Sequence, residues 1–118
     1  MKITLPLPPN RANARWHWRT EQRKRTDYEL RCRVFSTMEP GQDEPDMPWE
    51  RARIKATLYV WSRNDLDNLM ARMKWPVDWL VKAGYLVDDS PDHLEWVGLP
   101  EQHIDRRNQR IEIELEAA

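Results

Sequence analysis

The sequence predicts an α+β fold: a single domain over residues 1–118, with two main helices packed on a mixed β-sheet in the order β-α-β-α-β-β. Three observations point there. A chain of 118 residues can bury one core but not two. Apolar residues alternate with period two in several short runs, most regularly from Arg51 to Trp61. Two longer runs carry apolar residues at helical spacing, and no internal repeat is present.

Taken in order, Lys2 to Leu7 alternates around Ile3, Leu5 and Leu7 and stops at Pro8-Pro9, which predicts a short edge strand. Asn10 to Arg19 reads as a loop. Thr20 suits the cap of a helix that continues to about Met38, with Tyr28, Cys32, Phe35 and Met38 on one face and Pro40-Gly41 as its stop. Gln42 to Pro48 is an acidic, proline-bearing loop. In the Arg51–Trp61 run, Ala52, Ile54, Ala56, Leu58 and Val60 form the core side, while Thr57, Tyr59 and Trp61 face the other way, half-buried. Asn64 or Asp65 caps the next helix, whose core stripe is Leu69, Met73, Val77, Leu80 and Val81, with Gly84 at its left-handed end. Pro76 kinks that segment or opens a second short helix. Leu94 to Leu99 and Gln109 to Leu115 read as two further strands, joined by a polar loop through His103 and Arg107.

Composition narrows the function. With 40% apolar and 33% charged residues the core is modest, and burial in an oligomer would add to it. The lone Cys32 excludes an intramolecular disulfide and favours a reducing compartment. The N-terminus has no apolar signal core and no run is long enough to span a membrane, so a soluble cytoplasmic protein without a membrane partner is expected. The net charge of −1 conceals a basic segment from Arg11 to Arg33, opposed only by Glu21, Asp27 and Glu29. Screening confines charges to a reach of about 8 Å at physiological salt, so one face can bind phosphate in a chain that is nearly neutral overall.

The stretch from Asp65 to Asp92 gathers carboxylates at both ends of its helical segment: Asp65 and Asp67 at the start, Asp88 and Asp89 at the close. Hard cations such as Mg²⁺ take oxygen ligands, commonly one or two carboxylates together with waters or substrate phosphates. On a continuous helix, Asp67, Lys74 and Asp78 share one face, which turns Lys74 toward the cluster. A plainer reading of the same residues is that Asp65 and Asp67 complement a helix N-terminus and Asp88-Asp89-Ser90-Pro91 forms a turn. Seven tryptophans serve core or subunit packing, expected for Trp61, Trp75, Trp79 and Trp96, or stack on bases, open to Trp16 and Trp18. His17 sits in the basic loop as a hydrogen-bonding or phosphate-contacting group, and His93 and His103 show no partner in the sequence.

Asp65-Leu66-Asp67-Asn68-Leu69, then Lys74, Asp78 and Leu80, then Lys82-Ala83-Gly84 and Leu86-Val87-Asp88-Asp89 resemble the core motif of the RusA-type crossover junction endodeoxyribonucleases, the Holliday junction resolvases. The opening Ile3-Thr4-Leu5-Pro6-Leu7-Pro8-Pro9 and the His17-Trp18 pair ahead of a basic helix are also similar to that family. The likeness covers most of the chain and is most specific from Arg63 to Asp89. It implies a small α+β homodimer that binds four-way DNA junctions and nicks opposed strands with Mg²⁺, Mn²⁺ being a possible substitute, in DNA recombination and repair, commonly in a phage setting. Carried over to this chain, the catalytic and metal-binding aspartates are Asp65, Asp67 and Asp89, and the catalytic lysine is Lys74, with a short insertion after Asn68. Arg72 is the alternative for the basic role, and Asp88 and then Asp92 are the alternative ligands.

The expected DNA surface is Arg15, His17, Trp18, Arg19, Arg23, Lys24 and Arg25, which would contact backbone phosphates without reading sequence. Three other functions fit parts of this pattern. One is a junction-binding protein that does not cut, another a metal-dependent nuclease that prefers flaps or forks, and a third an interaction module that uses its tryptophans to bind protein.

Overall fold

The computed structural model describes residues 1–10, 15–38 and 45–118. The most regular alternation in the sequence becomes the longest strand, β3 (Ala52–Val60): Ala52, Ile54, Ala56, Leu58 and Val60 are buried, whereas Arg53 and Lys55 are exposed. β3 runs antiparallel to β6 (Arg110–Ala117), from Ala52 opposite Ala117 to Tyr59 opposite Arg110. β6 pairs antiparallel with β1 (Lys2–Pro6), and β1 with the two-residue β2 (Thr37–Met38). Along its other edge β3 is joined in parallel by β4 (Leu94–Trp96) and then by β5 (Glu101–Ile104). The sheet is thus mixed, in the order β2-β1-β6-β3-β4 with β5 also on β3.

Register places the apolar sides of neighbouring strands together: Ile3 lies opposite Ile113, Leu5 and Leu58 opposite Ile111, and Ile54 opposite Leu115. These residues join one buried cluster with Tyr28 and Cys32 of α1 (Trp18–Phe35), Leu69 of α2 (Leu66–Arg72), and Trp75, Val77, Trp79 and Leu80 of α3 (Lys74–Lys82). The molecule is an α+β domain with helices on a mixed sheet, as expected. Charges hold the alternate strand positions, where Lys2 meets Glu112 at 3.6 Å, Arg53 meets Glu95 at 3.3 Å and Arg110 meets Glu112 at 3.0 Å. Such exposed pairs add little stability individually, but they keep that side of the strands polar.

α1 is attached to β1 through Tyr28, whose hydroxyl donates to the Pro6 carbonyl at 2.7 Å and whose ring lies 6.1 Å from that of Trp75. Burial pushes the Tyr28 phenol far above its ordinary range and the Cys32 thiol up to about 11, so both stay protonated and serve packing.

Several boundaries differ from those predicted. α1 starts at Trp18, capped by His17 rather than Thr20, with the His17 Nδ1 accepting the Arg19 N–H at 3.2 Å. It ends at Phe35 and not Met38, because Ser36 turns extended and Thr37 and Met38 pair with Thr4 and Ile3. Phe35 is 63% exposed, so the apolar stripe of α1 is narrower than its sequence suggested. The expected stop at Pro40-Gly41 lies outside the described residues. β1 is flanked on both sides, leaving β2 outside it. The second helical run is two helices meeting at Met73, with Pro76 in the first turn of α3, where the missing N–H removes no bond. Gly84 follows α3 with φ of 91°, the left-handed end its position predicted. β5 occupies part of the expected polar loop, and His103 lies within it. Its four residues carry no apolar alternation, so only pairing with β3 reveals it.

Trp75→Ala empties a fully buried site and should cost about 3–5 kcal/mol in urea unfolding. Phe35→Ser should stay within about 0.5 kcal/mol of the parent chain, because its ring already faces solvent.

Candidate active site

Asp65 and Asp67 are placed by the turn that carries β3 into α2. The side-chain amide of Gln102, on β5, clamps that turn from both sides: its oxygen accepts the Asn64 N–H at 2.9 Å and its nitrogen donates to the Asn64 carbonyl at 2.9 Å. Asp65 takes the cap position of α2 and its carbonyl accepts the Leu69 N–H at 2.9 Å, yet its carboxylate makes no capping hydrogen bond. Asp67 lies in the first turn. Both side chains are exposed, and neither has a hydrogen bond or ion pair among the described residues. Asp65 at the cap and Asp67 in the first turn thus complement the N-terminus of α2 by charge, as the plainer reading expects, without a hydrogen bond from either carboxylate.

The adjacent aspartates differ from each other. Asp88 accepts the Asp89 N–H at 2.8 Å, and that bond, followed by one from Ser90, holds its carboxyl below the usual carboxylate range. Asp88 is thus the turn residue. Asp89 is half-buried, and its carboxylate stands 3.6 Å from the Lys74 ammonium.

Lys74 opens α3 and is also 3.2 Å from Asp78, one turn onward. Asp78 takes a second cation from α1, Arg25, at 2.8 Å. Arg25 reaches Glu29 at 3.2 Å, and Glu29 accepts Lys82 of α3 at 2.7 Å. One chain of alternating charge therefore runs from Lys82 through Glu29, Arg25, Asp78 and Lys74 to Asp89, fastening α1 to α3. The break at Met73 puts Asp67 and Lys74 on separate helices, which removes the shared face predicted for them; Lys74 pairs with Asp78 and Asp89 instead. Arg72, the alternative basic residue, ends α2 and lines a different groove with Lys24 and Arg31, one that none of Asp65, Asp67 and Asp89 borders.

The donor set suits a hard divalent cation in its chemistry, since Asp65 and Asp67 offer unpaired carboxylates and Asp89 a third. Among the described residues, no three His, Cys, Asp or Glu side chains converge as a ready metal cage. Mg²⁺ does not require such a cage, because waters and substrate phosphates commonly complete its octahedron.

The basic segment divides in two. Arg15, Arg19, Arg23 and Lys24 are exposed and make no ion pair among the described residues. Arg25, expected beside them at the DNA surface, is instead held by Asp78 and Glu29. Trp18 is 60% exposed, with the Arg19 guanidinium 5.2 Å from its ring centre and the His17 ring 5.7 Å away. Trp16 is half-buried under the Lys24 ammonium, 4.9 Å from its ring centre. Trp75 and Trp79 are core residues and Trp96 packs against the core, as predicted. Trp61 is outside the core, 57% exposed with the Arg106 guanidinium 5.3 Å from its ring centre. His93 has its Nδ1 2.8 Å from the Glu50 carbonyl, and His103 its ring 5.6 Å from that of Tyr59.

Sequence reasoning missed Gln102, whose role depends on the parallel pairing of β5 with β3, and the bridging role of Arg25, 53 residues from Asp78. In a double-mutant cycle, Arg25→Ala with Asp78→Ala should show a coupling of roughly 1 kcal/mol in urea unfolding. The more exposed Lys82–Glu29 pair should couple by less than about 0.5 kcal/mol and lose that in high salt. Neither a scan of protein-family models nor a search of curated proteins returns a match to this chain, which leaves the motif residues and their geometry as the ground for function.

Proposed function

We propose that this chain is a Mg²⁺-dependent, structure-selective endodeoxyribonuclease of the RusA type that resolves four-way junctions by paired nicks. The observation that carries the reading is the placement of Lys74: the motif lysine stands 3.6 Å from Asp89, the motif aspartate that lies 15 positions further along the sequence. Two unpaired carboxylates at the start of α2 and an unpaired cationic row at the start of α1 support it.

Asp65, Asp67 and Asp89 would hold the metal, which when bound supplies an acidified water and charge stabilisation for both the attacking and the leaving oxygen. Lys74, 3.6 Å from Asp89, would serve as a compact positive charge for the scissile phosphate. Asp78 keeps the lysine at the site through its 3.2 Å contact. Gln102 fixes the turn from which Asp65 and Asp67 project.

Arg15, Arg19, Arg23 and Lys24 grip phosphates by charge, so affinity falls steeply with salt. Trp18 offers a ring for a base unstacked at the junction, worth about 1–3 kcal/mol per base. Two symmetric nicks need two active sites, which makes the working form a homodimer. The setting is cytoplasmic, in DNA recombination and repair, and Mn²⁺ would substitute for Mg²⁺.

Asp65→Asn, Asp67→Asn and Asp89→Asn should each keep junction binding in a gel-shift assay and lose Mg²⁺-dependent nicking by at least about a hundredfold. Normal cutting by all three variants would refute the assignment. The parent chain should cut a labelled four-way junction in preference to flap, fork and linear duplex in direct competition. Preference for flaps would identify the other nuclease class, and binding without cutting in Mg²⁺ or Mn²⁺ a junction-binding protein.

A further inference from the structure

Among the described residues Arg72 has no ion-pair partner, and its Nε is buried without a hydrogen-bond partner. Burial lowers its pKa from the ordinary arginine value. A half-buried guanidinium with no counter-ion is costly, and native structures normally satisfy such a group.

The surroundings of Arg72 say what would satisfy it. It lines an open groove of about 390 Å³ between the Pro8-Pro9 turn after β1 and one side of α1. Lys24 and Arg31 line the same groove; seven residues apart, they share a side of α1. Among the described residues Asp27 is the single acidic residue on the groove wall, and it makes no ion pair with any of the three cations. The described lining therefore carries two more positive than negative charges, counted as Lys24, Arg31 and Arg72 against Asp27. Lys24 also belongs to the unpaired cationic row that begins at Arg15, so the groove continues that row toward Arg72.

We infer that this groove is a phosphate-binding subsite, separate from the aspartate site, in which Arg72, Arg31 and Lys24 take one phosphate group of a bound DNA strand. A planar guanidinium donates two parallel N–H bonds to two phosphate oxygens at once, and the volume leaves room for the attached sugar. The groove's chemistry selects a phosphate group; its source in DNA rests on the proposed function, whereas the binding of phosphate itself does not.

The test uses the full chain with ¹⁵N-labelled arginine side chains, titrated with inorganic phosphate against chloride at matched ionic strength. The Arg72 side-chain resonance should shift and saturate with phosphate alone. Arg72→Met should weaken phosphate binding by at least about tenfold, the loss of one charge-assisted hydrogen bond, and Asp27→Asn should strengthen it. Arg31→Ala, at an exposed position that spares the fold, should also weaken it. A linear duplex without terminal phosphates should compete with inorganic phosphate, which marks backbone phosphate as the source. Competition only by a 5′-phosphorylated strand would keep the phosphate subsite and reassign it to strand ends. Shifts that never saturate, or that persist unchanged in Arg72→Met, would overturn the subsite whether or not the protein nicks junctions. Failure of the parent chain to nick junctions, with phosphate binding intact, would instead count against the aspartate site alone.

Discussion

The Asp78 carboxylate is the interaction on which the arrangement depends. Its side chain is only 12% exposed, and it lies between a cation of another helix, Arg25 at 2.8 Å, and one of its own, Lys74 at 3.2 Å. A largely buried carboxylate is stable only with such partners, so Asp78 draws α1 onto α3. The same contact holds the lysine at one end of α3, where its remaining reach extends to Asp89. Helix packing and the position of the motif lysine are thus set by one group.

A second constraint comes from β3. Its antiparallel pairing with β6 and parallel pairing with β4 and β5 let the chain leave the strand beside β5, where Gln102 meets the Asn64 backbone. The turn is therefore braced by the sheet as well as by its own Asn64 side chain, which donates to the Ser62 carbonyl at 3.0 Å. The Asp65 carboxylate makes no capping hydrogen bond and, with that of Asp67, is available to a ligand. Asp88 closes its own turn in the same way and leaves Asp89 to face Lys74. At the first end of the helical segment the carboxylates of Asp65 and Asp67 keep no hydrogen bond or ion pair among the described residues, whereas at the second Asp89 is paired with Lys74.

Much of this was legible in the sequence where a residue's role depends on its near neighbours. The alternation of Ala52 to Val60 marks β3, and Pro76 and Gly84 mark the start and end of α3. What escaped depends on partners distant in sequence. Thr37 and Met38 become a strand because β1 is beside them, and Phe35 is left in solvent for the same reason. Arg25 looks like its neighbours Arg23 and Lys24, and only the approach of α3 separates a structural arginine from cations open to phosphate. The break at Met73 likewise moves Lys74 off the face it would share with Asp67 on an unbroken helix.

The proposed function rests on Asp65, Asp67 and Asp89 acting together in holding divalent metal, although they come from two ends of a helical segment. The most direct measurement follows the aspartate side-chain ¹³C carboxylate resonances during a Mg²⁺ titration of the intact protein in phosphate-free buffer. The account predicts that Asp65, Asp67 and Asp89 shift together with a common midpoint, while Asp88 and Asp92 remain near their starting positions. Shifts spread evenly over all five aspartates without saturation, or none at Asp89, would contradict it.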